Sequence, residues 1–168
     1  AITPMGRQHE NDREATAADL KWLADPAEEP EPFGDGGTKM AWNTFNVVSI
    51  YPNGNPVMSD VNQRWVGDCC ACAVIASMAY LYPRFVKHII KDNMDKTYTV
   101  TMYDPKGKQI SVGVGGDYFI GNSGDLGALG GRNKEVTWAT ILEKAMIKWN
   151  QIYQGSSNVG GIGTEYVS

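Results

Sequence analysis

Cysteine and histidine are the scarcest of the reactive residue types in this chain of 168 residues. The 3 cysteines, Cys69, Cys70 and Cys72, form an odd and tightly spaced set, which excludes the disulfide framework of a small secreted domain. Only His9 and His88 could complete a zinc site, and a structural zinc site usually needs two separated pairs of ligands. We therefore expect no structural zinc site.

Long apolar runs and a surplus of basic residues are also missing. No apolar stretch reaches the roughly 18 residues that a membrane-spanning helix needs. With 15 basic and 19 acidic residues, the chain lacks the basic surface that neutralises phosphates, so we expect no nucleic-acid partner. The sequence contains neither GxxxxGK(S/T) nor a strand followed by GxGxxG, the glycine-rich patterns of phosphate-binding loops. The 42% of hydrophobic residues is typical of one globular domain with a core.

The first part of the sequence, residues 1–40, is typical of a leader or linker. Residues 14–24 predict a short helix with Trp22 and Leu23 near one face, and a stretch rich in proline, glutamate and glycine follows. Two interpretations stay open: a flexible tail, or a pro-segment that docks on the rest of the protein. We assign residues 41–168 to the folded domain. The acidic leader fits a secreted or surface enzyme as well as a cytosolic one.

The hydrophobic periodicity of residues 41–168 predicts an α+β fold in which helices dominate the functional half. Glycine-dense residues 113–131 predict a mobile surface loop. The predicted elements are an extended segment at 45–51, a helix buried on most faces at 69–82, a helix at 84–93, a hairpin of strands 97–103 and 109–114, and an amphipathic helix at 137–153.

The stretch from Asp60 to Cys72, DVNQRWVGDCCAC, places a cysteine at the first position of the predicted buried helix. A helix N-terminus lowers the pKa of a thiol through its exposed N–H groups, which favours the nucleophilic thiolate. Gln63 lies six residues before Cys69 and can supply a second donor to an oxyanion formed beside the sulfur. Gly67 lets backbone and substrate approach closely. The pattern therefore indicates a thiol nucleophile with an oxyanion hole.

This stretch resembles the signature of the calpain-type branch of papain-like cysteine peptidases. That signature is an aspartate, then Gln-x-x-x-Gly-Asp-Cys-Trp, then a long apolar helix, and it is matched here by Asp60, Gln63, Gly67, Asp68 and Cys69. Downstream, TYTVTMY and ISVGV are similar to the family's tyrosine-bearing hairpin, and TWATILEKAMIKW resembles its Trp-x-x-Leu-Leu-Glu-Lys-Ala-Tyr-x-Lys helix. The resemblance covers roughly residues 55–161.

The resemblance implies a papain-like fold, of which this chain is the mostly helical left subdomain with its hairpin. It implies that Cys69 attacks a peptide bond and that Gln63 helps to bind the oxyanion. It also implies that a second, β subdomain, carried by a separate segment, supplies the catalytic histidine and asparagine. Trp65 either lines the cleft or packs in the core. The residues implied in substrate binding are Trp65, Gly67, Asp68, Gly160 and Gly161.

The chain departs from the family pattern in several places. Cys70 replaces the tryptophan after the nucleophile, which leaves two candidate thiols, of which the spacing favours Cys69. Gly115 and Gly116 replace paired aspartates. His9 lies in the leader, and His88 lies 19 residues after Cys69 on the following helix, where we expect it to face away from the thiol.

Without a histidine at the site, a lone chain is expected to be close to inert, because general-base catalysis contributes about 10²–10⁴-fold. Three interpretations follow: one chain of a processed two-chain enzyme, a truncated piece, or an inactive homologue. Two other functions stay open, namely a non-catalytic binding or regulatory module and a thiol acyltransferase or amidase that uses the same nucleophile.

The resemblance also implies a calcium ion near the loop that precedes the nucleophile. Asp60 matches the family's aspartate ligand, and Glu135 lies one position off the expected spacing to Trp138. The backbone carbonyls of Asn53 and Asn55 could complete a shell of oxygen ligands. The alternative is that Asp60 caps the loop. No cofactor is expected for the chemistry itself.

Overall fold

The structure, a computed structural model, describes residues 14–30, 41–64, 69–120 and 126–153, with backbone alone for Cys69 and Cys70. The described residues form an α+β architecture of four helices and two small antiparallel sheets. The helices are α1 (Ala17–Ala24), α2 (Cys69–Leu81), α3 (Pro83–Ile89) and α4 (Trp138–Tyr153), with a short 3-10 turn at Met58–Asp60. The strands are β1 (Ala41–Thr44), β2 (Ile90–Asp92), β3 (Tyr98–Tyr103), β4 (Gln109–Val114) and β5 (Asp117–Ile120).

Helix α4 lies at the centre of the domain. It begins after Thr137, whose hydroxyl accepts the backbone N–H of Ala139 at 3.2 Å and so caps the helix N-terminus. The helix contacts α1, α2, β3 and β4, and 14 of its 16 residues are buried. The sequence predicted one apolar face. In the structure the helix is instead surrounded by other elements, and its two lysines, Lys144 and Lys148, are buried as well.

The predicted hairpin is confirmed. Strands β3 and β4 pair antiparallel from Tyr98 opposite Val114 to Tyr103 opposite Gln109, and β2 adds to the other edge of β3. The connecting turn is closed by Asp104, whose carboxylate accepts the backbone N–H groups of Lys106 and Lys108 at 3.0 and 2.7 Å. Such Asx bonds are what makes aspartate a turn residue.

The prediction of a mobile surface loop over residues 113–131 is wrong for the described part of that range. Residues 117–120 form β5, which pairs with β1, and residues 126–131 are buried. The glycines here allow close packing against other backbone rather than freedom to move. Residues 45–51, predicted to be extended, form no strand in the structure. The strand β1 lies just upstream, at Ala41–Thr44.

Helix α2 begins and ends close to its predicted limits, but the expectation that most of its faces are buried is wrong. Among its described side chains, Ala71, Cys72, Ile75 and Ala79 are buried, whereas Tyr80 is 75% exposed. An alanine-rich sequence has no polar stripe to mark the outer face, so periodicity could not distinguish the two faces. Helix α3 is shorter than predicted, because β2 takes over at residue 90.

Residues 14–30 pack against the domain. Helix α1 begins with a capping box, in which Thr16 and Asp19 exchange side-chain and backbone hydrogen bonds at 2.9 and 3.1 Å. Leu23 is fully buried, and α1 contacts β4 and α4. The rest of the predicted leader, residues 1–13 and 31–40, lies outside the described residues. Within the described ranges, no helix is both long and apolar enough to cross a bilayer.

Candidate functional site

The helix that carries the candidate nucleophile begins at Cys69, as the spacing predicted. Its backbone therefore lies in the first turn of α2, where N–H groups have no partner within the helix and where the dipole favours an anion. The side chains of Cys69 and Cys70 are outside the described part of the structure. So are five predicted substrate-binding residues: Trp65, Gly67, Asp68, Gly160 and Gly161. Cys72 is buried in the core.

The loop before the nucleophile is fixed at Asp60, which is 1% exposed. Its carboxylate accepts hydrogen bonds from the amide of Asn53 at 2.9 Å, the backbone N–H of Val57 at 3.2 Å and the indole of Trp138 at 2.8 Å. Its backbone carbonyl accepts the hydroxyl of Thr137 at 3.1 Å. Because Thr137 and Trp138 begin α4, this one aspartate joins the loop to the central helix.

Asn62 and Arg64, which flank Gln63, are fixed as well. The backbones of Asn62 and Gly130 form an antiparallel bridge with N–H to O distances of 2.9 and 3.3 Å. The Asn62 amide also donates to the Gly130 carbonyl at 3.0 Å, and the guanidinium of Arg64 donates to the carbonyl of Gly131. Gln63 itself is exposed. The chain is thus held on both sides of this exposed residue.

Residues 129–131, which hold this loop, are in turn fixed to α4. The backbone N–H of Leu129 donates to the buried carboxylate of Glu143 at 2.9 Å, and the hydroxyl of Thr140 donates to the Leu129 carbonyl. Gly130 has no room for a side chain, because a Cβ there would lie 2.6 Å from the backbone oxygen of Glu135. A continuous set of hydrogen bonds therefore runs from α4 through 129–131 to the residues beside Gln63.

Sequence reasoning missed the roles of Asn62, Arg64, Gly130 and Glu143. Each contact joins segments that are distant in the sequence, and Asn62 and Gly130 are 68 residues apart. The only local signal for these roles was that Gln63 has a polar residue on each side. Such neighbours can hold the backbone of a functional residue. Nothing in the sequence identified Gly130 as their partner.

The residues proposed for calcium have defined positions. Both carboxylate oxygens of Asp60 accept hydrogen bonds, the arrangement expected of a residue that caps the loop. The side-chain amide of Asn53 donates to Asp60, whereas the ligand predicted from Asn53 is its backbone carbonyl. Among the described side chains, no group of three or more histidine, cysteine, aspartate or glutamate residues could hold a metal ion. Calcium binding by Asp60, Glu135 and the carbonyls of Asn53 and Asn55 stays a prediction.

His88 lies on α3 with its side chain exposed to solvent, and its ring is not part of the hydrogen-bonded set around Gln63. His9 lies outside the described residues. Neither a scan against models of protein families nor a search of curated protein sequences gave a match to this chain.

Proposed function

We propose that this chain is the nucleophile-bearing subdomain of a papain-like cysteine endopeptidase of the calpain type. One observation supports the proposal most strongly. The backbone on both sides of the exposed Gln63 is held by α4 and residues 129–131, and six positions later a helix begins at Cys69. Acyl transfer to sulfur requires a thiol and a donor to the oxyanion, and a held backbone at Gln63 together with a helix start at Cys69 is compatible with that requirement.

In the proposed reaction, the Cys69 thiolate attacks the carbonyl carbon of a peptide bond. The negative charge that develops on the carbonyl oxygen is stabilised by the backbone N–H of Cys69 and by the side-chain amide of Gln63. The tetrahedral intermediate collapses to a thioester as the amine leaves with a proton from an imidazolium. Water, deprotonated by the same imidazole, then releases the carboxylic acid and regenerates the thiol.

The imidazole and an asparagine that orients it come, in this proposal, from a second segment that docks on this subdomain. The junction of α2 and α3 supports a docking partner, because four large apolar side chains there are 46 to 75% exposed. Exposed apolar groups that lie together mark interaction surfaces. They are Tyr80, Leu81, Tyr82 and Phe85. Peptide substrate would meet Trp65, Gly67, Asp68, Gly160 and Gly161, as the resemblance implies.

A binding module with the same fold but no catalysis is the second candidate. The described histidine, His88, lies exposed on α3 rather than beside Gln63, which favours this candidate for a chain that acts alone. A thiol acyltransferase would share the nucleophile and the oxyanion hole but would pass the acyl group to an acceptor other than water, whereas an amidase would hydrolyse an amide other than a peptide bond.

Labelling separates these functions. A peptidyl epoxide is expected to modify Cys69, detected by peptide mass spectrometry, when the chain is purified with its second segment. Cys69→Ala should abolish labelling and hydrolysis of a peptide reporter, whereas Cys70→Ala should preserve both. Labelling at Cys70 would reassign the nucleophile, and hydrolysis that survives Cys69→Ala would refute the proposal. Labelling without hydrolysis, but with acyl transfer to an added amine, would favour the transferase.

A further inference from the structure

The segment 14–30 lies across β4, and its main chain comes closest at two residues without side chains, one in β4 and one just after it. A Cβ built on Gly113 would fall 2.6 Å from the nitrogen of Pro26, and one built on Gly115 would fall 2.5 Å from the Pro26 oxygen. Side-chain carbons essentially never come within 3.0 Å of other heavy atoms. The two alternate glycines therefore form the floor of a groove that accepts only peptide backbone at this depth.

One wall of the groove is the ammonium group of Lys148, a residue that is fully buried. It donates to the carbonyl of Asp25 in the segment at 2.9 Å and to the carbonyl of Gly113 in β4 at 2.8 Å. The ring of Trp22, also in the segment, lies 5.0 Å from the ammonium nitrogen. A buried cation needs such partners, and the segment supplies two of the three.

Lys144, one helical turn earlier on α4, repeats this arrangement. Its ammonium pairs with the carboxylate of Glu29 at 2.6 Å and donates to the carbonyl of Asp117 at 2.5 Å. The rings of Trp42 and Tyr118 lie 4.4 and 5.2 Å away. Each buried lysine thus takes at least one acceptor from the segment and one from the body of the domain.

The segment 14–30 is acidic, which complements the two buried lysines of the groove. Residues 14–30 contain five acidic residues and one basic residue. Leu23 and Pro30 are buried at two points along it, and Glu14 at its start forms an exposed ion pair with Lys106 in the hairpin turn. The groove therefore fits a short helix followed by a turn at residues 25–28 and an acidic, proline-containing stretch.

We propose that this groove on β4 and α4 is a peptide-binding site, that its occupant is the chain's own segment 14–30, and that the segment stays bound after the chain is cut between residues 30 and 41. A cut removes the tether that keeps the local concentration of the segment high. Retention then depends on the groove contacts alone. This inference does not depend on the proposed peptidase activity.

The test is a cut made in the folded full chain. A recognition sequence for a specific protease is inserted between Gly36 and Gly37, the protein is cleaved, and the products are separated by size-exclusion chromatography with mass detection. The N-terminal fragment is expected to elute with the domain. Separate elution of the fragment would overturn the proposal.

Two adjacent glycines offer a matched pair of variants. Gly115→Ala places a methyl group against Pro26, whereas Gly116→Ala places one 3.4 Å from the carbonyl of Lys96, at ordinary contact distance. After cleavage, Gly115→Ala is expected to release the fragment and Gly116→Ala to retain it. Equal behaviour of the two variants would show that the glycine floor does not determine binding.

A second measurement leaves the domain unchanged, so misfolding of a variant cannot obscure it. Synthetic peptides of residues 14–30 compete with the retained fragment in the cleaved protein, and displacement is followed by the same chromatography. A Glu29→Gln peptide loses the ion pair with Lys144 and is expected to compete at least about tenfold less well than a Glu28→Gln peptide. Glu28 is exposed and serves as the control. Equal competition would contradict the role assigned to Lys144.

Discussion

Trp138 donates its indole N–H to the buried carboxylate of Asp60 at 2.8 Å, across 78 residues of sequence. The bond joins the first residue of α4 to the loop that leads to the candidate nucleophile. Its loss would leave a buried carboxylate with one fewer donor, which costs free energy because the freed oxygen cannot bond to water instead.

The first prediction concerns this pair. Trp138→Phe keeps most of the buried ring but removes the donor, and it should lower the free energy of unfolding by about 2–4 kcal/mol through the lost bond to a charged group and the smaller ring. Asp60→Asn should cost about 1–3 kcal/mol. The double variant should cost less than the sum of the two, because both remove one interaction. Urea unfolding measures all three, and strict additivity would show that the two side chains act independently.

The second prediction concerns the residues that flank Gln63. Arg64→Ala removes the bond to the Gly131 carbonyl, so the chain beside Gln63 can shift, and a shift of about 1 Å can cost about 10²-fold in rate. We expect a marked loss of peptidyl-epoxide labelling at Cys69 in the assembled protein. Arg132→Ala, which removes an exposed arginine next to Gly131, is the control and should label normally. Unchanged labelling of Arg64→Ala would mean that Gln63 is positioned by other contacts.

The third prediction is a rise in stability with pH. Burial, followed by the neighbouring charge of Lys144, lowers the pKa of Lys148 from 10.5 to about 8, although Glu29, Asp25 and Glu28 act in the opposite direction. Between about pH 8 and pH 10 the unfolded chain therefore binds more protons at this site than the folded chain does, so the free energy of unfolding rises with pH.

Urea unfolding at several pH values in this window checks the Lys148 prediction. Lys148→Met replaces the ammonium by an apolar group of similar length and should flatten the rise, at the cost of the two hydrogen bonds to backbone carbonyls. A flat profile in the unsubstituted protein would show that the ammonium is well solvated in the folded state.

The fourth prediction applies at higher pH. Burial raises the pKa of Tyr51 from 10.0 to about 12, and its hydroxyl is buried with no hydrogen-bond partner among the described residues. Above about pH 10 the unfolded chain releases this proton first, so stability falls as pH rises toward 12. Tyr51→Phe keeps the ring against Lys87 and should reduce that fall while costing little at neutral pH. An equally steep fall in the variant would assign the effect to other groups.

Much of the local structure followed from the sequence. The hairpin was predictable because Tyr98, Val100 and Met102 alternate with polar residues and Asp104 begins a turn pattern. Helix α4 was predictable from its 3.6-residue period, and the start of α2 at Cys69 from the Gly-Asp-Cys pattern. These signals are local, and the structure agrees with them.

The contacts between distant segments were not predictable. Proline and glutamate near residue 28 suggested a linker, yet Glu29 pairs with a buried lysine 115 positions later, and no local pattern reveals such a partner. Gly113 and Gly115 suggested mobility, because a glycine that permits close approach looks the same in sequence as one that permits motion. The bond between Asn62 and Gly130 is another contact between distant segments that the sequence does not reveal.

The bridge between Asn62 and Gly130 also sets an order of events during synthesis. The loop that carries Gln63 takes its shape from residues made 67 to 78 positions later. A ribosome-bound chain that has emerged only through α2 contains the cysteine but not the residues that orient its neighbour. In the proposed enzyme, the loop that carries Gln63 would therefore stay unformed until α4 had left the ribosome and folded against it.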